Sequence, residues 1–312
     1  MKKIILILFA LIGLALASIY MLIPGRIRIS TSMTVEANRE ALMRKLGAGR
    51  NWAEWWPGDK NMSDSGTYSL NGIEFRPGYP KVVSVPFSIH AKGFNELSEL
   101  TLIPLNTDST AIVVETELPS SADPFKRVQS YLAARKVKRS ISAILQSINN
   151  TYSRVEALYG YNIQKKSVED SNLVFTSETM KGYPGYDKIY SMVDELKSYI
   201  NRHAAKETGY PMLNVFSRDS QDYLVKVAIP VDRRLPDSGT INYRWMLGGG
   251  NILITEIKGG QNEISKAYEQ ILHYISDYQR IAPAIPFESM VTDRRKEPDS
   301  SKWITRIYYP VM

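Results

Sequence analysis

The chain has 312 residues, 44% hydrophobic and 23% charged, a composition that fits about two globular domains with real cores. Lys and Arg number 39 against 32 Asp and Glu, a formal net charge of +7. There is no cysteine, which excludes a disulfide framework, a thiol nucleophile and a cysteine metal site. The charge alone would allow nucleic acid or an anionic membrane surface as a partner. The basic residues are scattered, however, and the densest run, Lys126 to Arg139, lies on a helix whose other face is apolar. That pattern is a solvated helix face, so no nucleic-acid partner is expected.

Met1-Lys2-Lys3 precedes twenty uncharged, mostly apolar residues, Ile4 to Ile23. At 1.5 Å per residue such a helix is about 30 Å long, the thickness of a hydrocarbon core. Pro24-Gly25 ends it. Ala15-Leu16-Ala17 would suit a cleaved signal peptide, but the apolar run continues beyond it. A transmembrane anchor over residues 1–25 is therefore expected, giving a single-pass membrane protein. Lys2 and Lys3 on one side balance Arg26, Arg28 and Arg39 on the other. Orientation is thus weakly specified, with a lean toward an extracytoplasmic soluble part.

Residues 27–158 make a first soluble module. RIRISTSMTVEA alternates like a strand. ANREALMRKLGAGRNWAEWWPG has a helix pattern closed by glycines and Pro57-Gly58. In TYSL-NG-IEFR, Asn71-Gly72 suits the type I′ turn of a two-residue hairpin. KVVSVPFSIHAKG, ELSELTLIPL and TAIVVETELP continue an antiparallel run. One helix from about Asp123 to Leu158 follows. Phe125, Val128, Leu132, Ile141, Ile144, Leu145, Ile148, Tyr152 and Val155 form its apolar stripe. This order resembles the helix-grip layout of the START-like, polyketide cyclase/dehydrase-type superfamily. MTVEANREALMRKLGAGRNWAEWWPG resembles that superfamily's first strand, short helix and Trp-rich turn. The resemblance implies a hydrophobic ligand gripped between sheet and last helix. The residues themselves allow equally that the stripe fills the core. Trp52, Trp55 and Trp56 are expected to cap a core.

Residues 159–312 make a second module, which says one thing twice. Tyr159 to Asp170 is a polar linker or a first short strand. LVFTSE, YDKIYSMVDELKSYI, MLNVF and DYLVKVAIPV give strand, helix, strand, strand over about 171–231. NILITEI, EISKAYEQILHYISDYQR, PFESMV and WITRIYYPV repeat that order over about 250–312. Lys188 and Tyr190 match Lys266 and Tyr268 at an offset of 78, Thr176 matches Thr255 at 79, and Pro230-Val231 match Pro310-Val311 at 80. Two copies of one unit about a pseudo-twofold axis are expected, forming one sheet with two helices on one face. The fold class is thus α+β, and a groove between the halves is a natural ligand site.

The same segment is similar to the gyrase-inhibitor-like small-molecule-binding domain, which also serves as the effector-binding domain of multidrug-sensing regulators. The matching elements are AIPV (Ala228–Val231), MLGGG (Met246–Gly250), KGG (Lys258–Gly260), SKAYEQILHYI, PFESM with Glu288, and the terminal IYYPV. The resemblance implies that Glu288 is a buried acid that helps hold a cationic or amphipathic ligand among aromatic side chains. Tyr243, Trp245, Tyr268, Tyr308 and Tyr309 are the aromatics near these strands. Period-two alternation puts Tyr309 with Ile307 on one face and Tyr308 on the other. Where such domains have an aromatic shortly after the acid, Ser289-Met290 follow here.

Catalytic signatures are missing. His90, His203 and His273 lack ligand-spaced partners, so no metal is expected. MLGGGN has no following Lys-Ser or Lys-Thr, and no G-x-S-x-G elbow or helix-turn-helix segment occurs. The expected function is non-enzymatic binding of a small hydrophobic or amphipathic molecule, cations included, without a cofactor. The alternatives are a hydrolase of a small reactive compound using Glu288, or a module that docks a protein partner.

Overall fold

Asn71 and Gly72 have φ of +54° and +68° in this computed structural model, so the hairpin turn has the positive dihedrals that type I′ demands. The structure describes residues 2–59, 66–91, 94–169, 171–217 and 221–312, apart from the side chains of Lys2 and Ile5. Met1, Lys92, Gly93 and Asp170, which figure in the sequence expectations, lie outside that set. The chain is α+β and divides into two units, Met1–Leu158 and Tyr159–Met312.

In the first unit α1 (Lys2–Leu22) leads to β1 (Arg26–Val35), α2 (Arg39–Gly47) and α3 (Trp52–Trp55). The hairpin β2 (Tyr68–Leu70) and β3 (Ile73–Pro77) is followed by β4 (Ser84–Ala91), β5 (Phe94–Pro104) and β6 (Thr110–Pro119), then α4 (Pro124–Tyr152) and α5 (Val155–Tyr159). The strands form one antiparallel sheet in the order β1-β6-β5-β4-β3-β2. Two helix expectations need correction. The segment 37–58 is two short helices, because the backbone at Gly47 and Gly49 closes on Pro80 and Pro77, where a Cβ would lie 3.2 and 3.1 Å away. The last helix stops at Tyr152, where the Ser153 hydroxyl donates to the Asn149 carbonyl at 2.7 Å and caps it. Its buried face begins only at Ala134; Phe125 and Leu132 are 76% and 56% exposed.

Trp52, Trp55 and Trp56 are each 1% exposed and pack into the sheet. Trp52 and Trp56 stack at 5.9 Å, and their indole N–H groups donate to Leu46 O and Ser69 O. The space bounded by Trp52, Phe75, Phe87, Leu100, Val114, Ile141 and Ile144 is about 10 Å³. That holds one water at most. The grip between sheet and α4 is therefore filled by side chains here, and the START-like resemblance gains no ligand cavity at this place.

The expected transmembrane anchor is a helix, α1. Among the described residues no helix is long and apolar enough to cross a membrane. The anchor is thus not shown.

The second unit contains β7 (Gln164–Ser167), β8 (Ser171–Lys181), α6 (Tyr186–Arg202), β9 (Met212–Ser217), β10 (Asp222–Val231) and β11 (Asn242–Met246). It continues with β12 (Asn251–Lys258), α7 (Gln261–Asp277), β13 (Phe287–Met290) and β14 (Ile304–Val311). The sheet order is β11-β8-β10-β9-β13-β14-β12-β7. Its centre is a mirror of itself: β8-β10-β9 from the first repeat meets β13-β14-β12 from the second. Ile189, Val193, Leu196 and Ile200 recur at four, three and four along α6 and bury one face on Val174, Leu213, Val225, Val227 and Ile229. Burial of each such side chain contributes about 1.5–3 kcal/mol. In α7, Ile264, Ala267 and Ile271 do the same.

Candidate ligand site between the repeats

The two repeats join where β9 pairs with β13, and Glu288 lies directly opposite Leu213. Leu213 pairs on its other side with Val227, and Glu288 with Ile307. Val227 and Ile307 are 80 apart, the offset of Pro230 and Pro310. Glu288 therefore takes in the second repeat the place that Leu213 takes in the first, and the pseudo-twofold axis runs between them. Paired antiparallel residues share a face. Leu213 and Val227 pack on α6, so Glu288, Ile307, Thr305 and Tyr309 face the helices too.

The Glu288 side chain is 10% exposed, and its Oε2 lacks a hydrogen-bond donor at ordinary distance among the described residues. Arg294 Nη2 stands 3.5 Å away, an ion pair rather than a strong hydrogen bond. The Arg294 guanidinium lies 4.9 Å from the Tyr186 ring and 5.1 Å from the Trp303 ring, and donates to Thr305 Oγ1 at 3.1 Å. Burial pushes the Glu288 carboxyl above the usual Glu range, and Arg294 pulls part of the way back. Its charge is felt by two tyrosines. Burial first, and Glu288 second, push Tyr183 up to about 12, and the same two causes push Tyr268 up further. Tyr183 meets Tyr223 edge to face at 5.7 Å, and Tyr268 meets Tyr309 at 6.5 Å.

Of the residues expected from sequence, Glu288, Tyr268 and Tyr309 come together on the helix face. Tyr243 and Trp245 do not. They lie on β11, which pairs with β8 at the sheet edge, so β8, β10 and β9 separate them from β13. At about 4.8 Å per strand that is some 19 Å. Tyr243 donates to Asn172 Oδ1 at 2.7 Å, and Trp245 is 56% exposed. Sequence reasoning missed Arg294, Tyr183, Tyr186, Tyr223 and Trp303. One signal for Arg294 was available. The β13–β14 connection has 13 residues (304 − 290 − 1) where β9–β10 has 4 (222 − 217 − 1), so the second repeat carries an insertion, and Arg294 lies in it.

The other sheet face carries open grooves. One of about 720 Å³ is lined by Met212, Pro230, Ile252, Phe287, Arg306 and Tyr308 among others, and a neighbouring one is about 510 Å³. Phe287 and Tyr308 stack there at 4.9 Å and 6°. Neither groove is lined by Glu288, Tyr268 or Tyr309.

No protein-family model and no curated relative matches the chain. Among solved structures it is similar to the EcmrR C-terminal domain, at 16% identity and a TM-score of 0.40 over 49% of this chain and 98% of that one. It is similar to SAV2435 bound to tetraphenylphosphonium, at 17% identity and a TM-score of 0.32 over 48% of this chain and 93% of that one. A hydrolase from Listeria innocua is similar at 10% identity and a TM-score of 0.37, over 48% and 91%. Likeness at this level says nothing of ligand or chemistry, which rest on the residues themselves.

Proposed function

We propose that the C-terminal unit binds a small hydrophobic or amphipathic molecule on the helix face of its sheet, around Glu288, without converting it. One observation carries the reading: a nine-tenths buried carboxylate on the axis between two repeats, with the half-buried Tyr268 and Tyr309 beside it. A carboxylate is costly to bury, and its first-repeat counterpart is an ordinary leucine. The resemblance of residues 171–312 to gyrase-inhibitor-like domains points the same way. A hydrolytic use of Glu288 would want a second carboxylate or a nucleophile at its side, and the charged group there is Arg294.

The groove on the opposite face supports a second reading, since about 720 Å³ falls within the range of ligand pockets, roughly 300–1,000 Å³. Titration of the full-length chain with the uncharged dye Nile red separates the two. Tyr268→Ala should weaken binding about tenfold, the loss of roughly one well-placed aromatic contact, and Tyr308→Ala should leave it unchanged. The reverse pattern moves the ligand to the other face.

We further propose that α1 anchors the chain in a membrane. Ile4 to Ile23 carry no charge, and Leu6, Phe9, Leu14 and Met21 are 66–91% exposed. Tyr20 donates to Ala122 O, which brings the exposed Phe125 at the start of α4 near the helix end. Deleting residues 2–25 should move the protein from the membrane to the soluble fraction; a full-length chain already in the soluble fraction would refute the anchor.

A further inference from the structure

Two rings and one carboxylate surround the Arg294 guanidinium. The carboxylate of Glu288 is 3.5 Å away, and the Tyr186 and Trp303 ring centres are 4.9 and 5.1 Å away. Tyr186 and Trp303 meet edge to face, 5.1 Å apart at 85°. Those elements are what an aromatic cage offers an organic cation. Here the chain itself fills the cage, with the Arg294 side chain only 1% exposed. Its place is fixed from three sides. Nη2 donates to Thr305 Oγ1 at 3.1 Å, and the Arg294 backbone N–H donates to the Tyr190 hydroxyl at 2.8 Å. The next residue, Arg295, donates to Asp194 on α6 at 2.7 Å.

We propose that Arg294 is the resident cation of this site and sets its charge selectivity: the ligand is uncharged where it meets Glu288, and organic cations are excluded. This rests on the small-molecule site put forward above. An incoming cation must displace a guanidinium held between two rings and tied to α6 through its own backbone. An uncharged ligand needs no such displacement. The insertion that distinguishes the second repeat from the first is the segment that delivers this cation.

The test uses two ions of one shape and opposite charge, tetraphenylphosphonium and tetraphenylborate, titrated against the full-length chain by calorimetry. The readout is the ratio of their affinities, cation over anion. From wild type to Arg294→Met the ratio should rise at least about tenfold, as the carboxylate and both rings become available. In the double variant Arg294→Met with Glu288→Gln it should fall back. Arg294→Lys keeps the charge and should keep the wild-type ratio. An unchanged ratio in Arg294→Met overturns the selectivity while leaving a ligand site in place. Binding of neither ion by any folded form removes the site and the selectivity together. Should Arg294→Met not fold, Glu288→Gln alone decides: it leaves Arg294 unopposed and must lower the ratio, and an unchanged ratio overturns the proposal.

Discussion

The two repeats of the C-terminal unit share a strand order and a helix pattern, and they part company at two places. At the axis the first repeat has Leu213, 2% exposed in an apolar core, and the second has Glu288. On the helices, whose buried faces superpose at an offset of 75 (Ile189 with Ile264, Leu196 with Ile271), the first has Val193, 1% exposed. The second has Tyr268, half-buried next to Glu288 and Tyr309. One copy has an apolar packing residue at each position, while the other carries a carboxylate and a tyrosine whose charges and rings act on each other. Duplicated folds make such a contrast informative, because the backbone is held constant and the side chains alone differ. The site belongs to the departures from symmetry, and so does the longer β13–β14 connection that brings Arg294.

The largest expected effect comes from forcing the first repeat to imitate the second. Leu213→Glu would bury a second carboxylate directly across from Glu288, with one guanidinium for the two, and should cost about 3–5 kcal/mol in denaturant unfolding. Arg294→Met, which strands Glu288, should cost about the same. Making the second repeat imitate the first, with Glu288→Leu and Arg294→Met together, should be neutral or stabilising by about 1–4 kcal/mol while abolishing ligand binding. A large loss in that double variant would show that the ion pair holds the fold rather than the site.

Two helix tyrosines at different positions of the repeat give a middle-sized contrast. Tyr190→Phe removes a hydroxyl bonded to two backbone groups and should cost about 1–3 kcal/mol. Tyr268→Phe should stay within about 0.5 kcal/mol. Equal costs would mean that the bonds of the Tyr190 hydroxyl to Thr292 O and Arg294 N–H add nothing to the fold.

The smallest effect is in pH. Burial raises the Glu288 carboxyl in the folded chain, so the fold holds that proton to higher pH than the unfolded chain does. The contribution to stability is complete below the ordinary Glu value of about 4.3 and is lost as pH rises through the raised folded value. Glu288→Gln cannot lose a proton. Wild type should therefore lose thermal stability relative to Glu288→Gln as pH rises above the ordinary Glu value. A constant difference would mean that Arg294 offsets the burial completely.

Much of the frame was legible in the sequence, for local reasons. Asn71-Gly72 set a turn type through backbone dihedrals alone. The near-constant offset gave the duplication, although the helices align at 75 rather than 78, so that Tyr190 and Tyr268 are not equivalent positions; period-two alternation placed Tyr309 with Ile307 and apart from Tyr308. Strand neighbours across a sheet carry no such local mark. Tyr243 pairs with Val174, far back in the chain, which is why sequence proximity to β12 misplaced Tyr243 and Trp245. Arg294 sits in TDRRKEPDS, where nothing distinguishes a buried arginine from the exposed Arg295 beside it. The change of offset from 75 at Leu213 and Glu288 to 80 at Pro230 and Pro310 did record the insertion. The filled core of the N-terminal unit was undecidable from its stripe, since the same apolar residues could line a cavity or close it.

Equilibrium binding of Nile red to the full-length chain, compared between Tyr268→Ala and Tyr308→Ala, tests the helix-face site most directly. A loss of about tenfold confined to Tyr268→Ala is expected. A loss confined to Tyr308→Ala, with Tyr268→Ala binding like wild type, would contradict it.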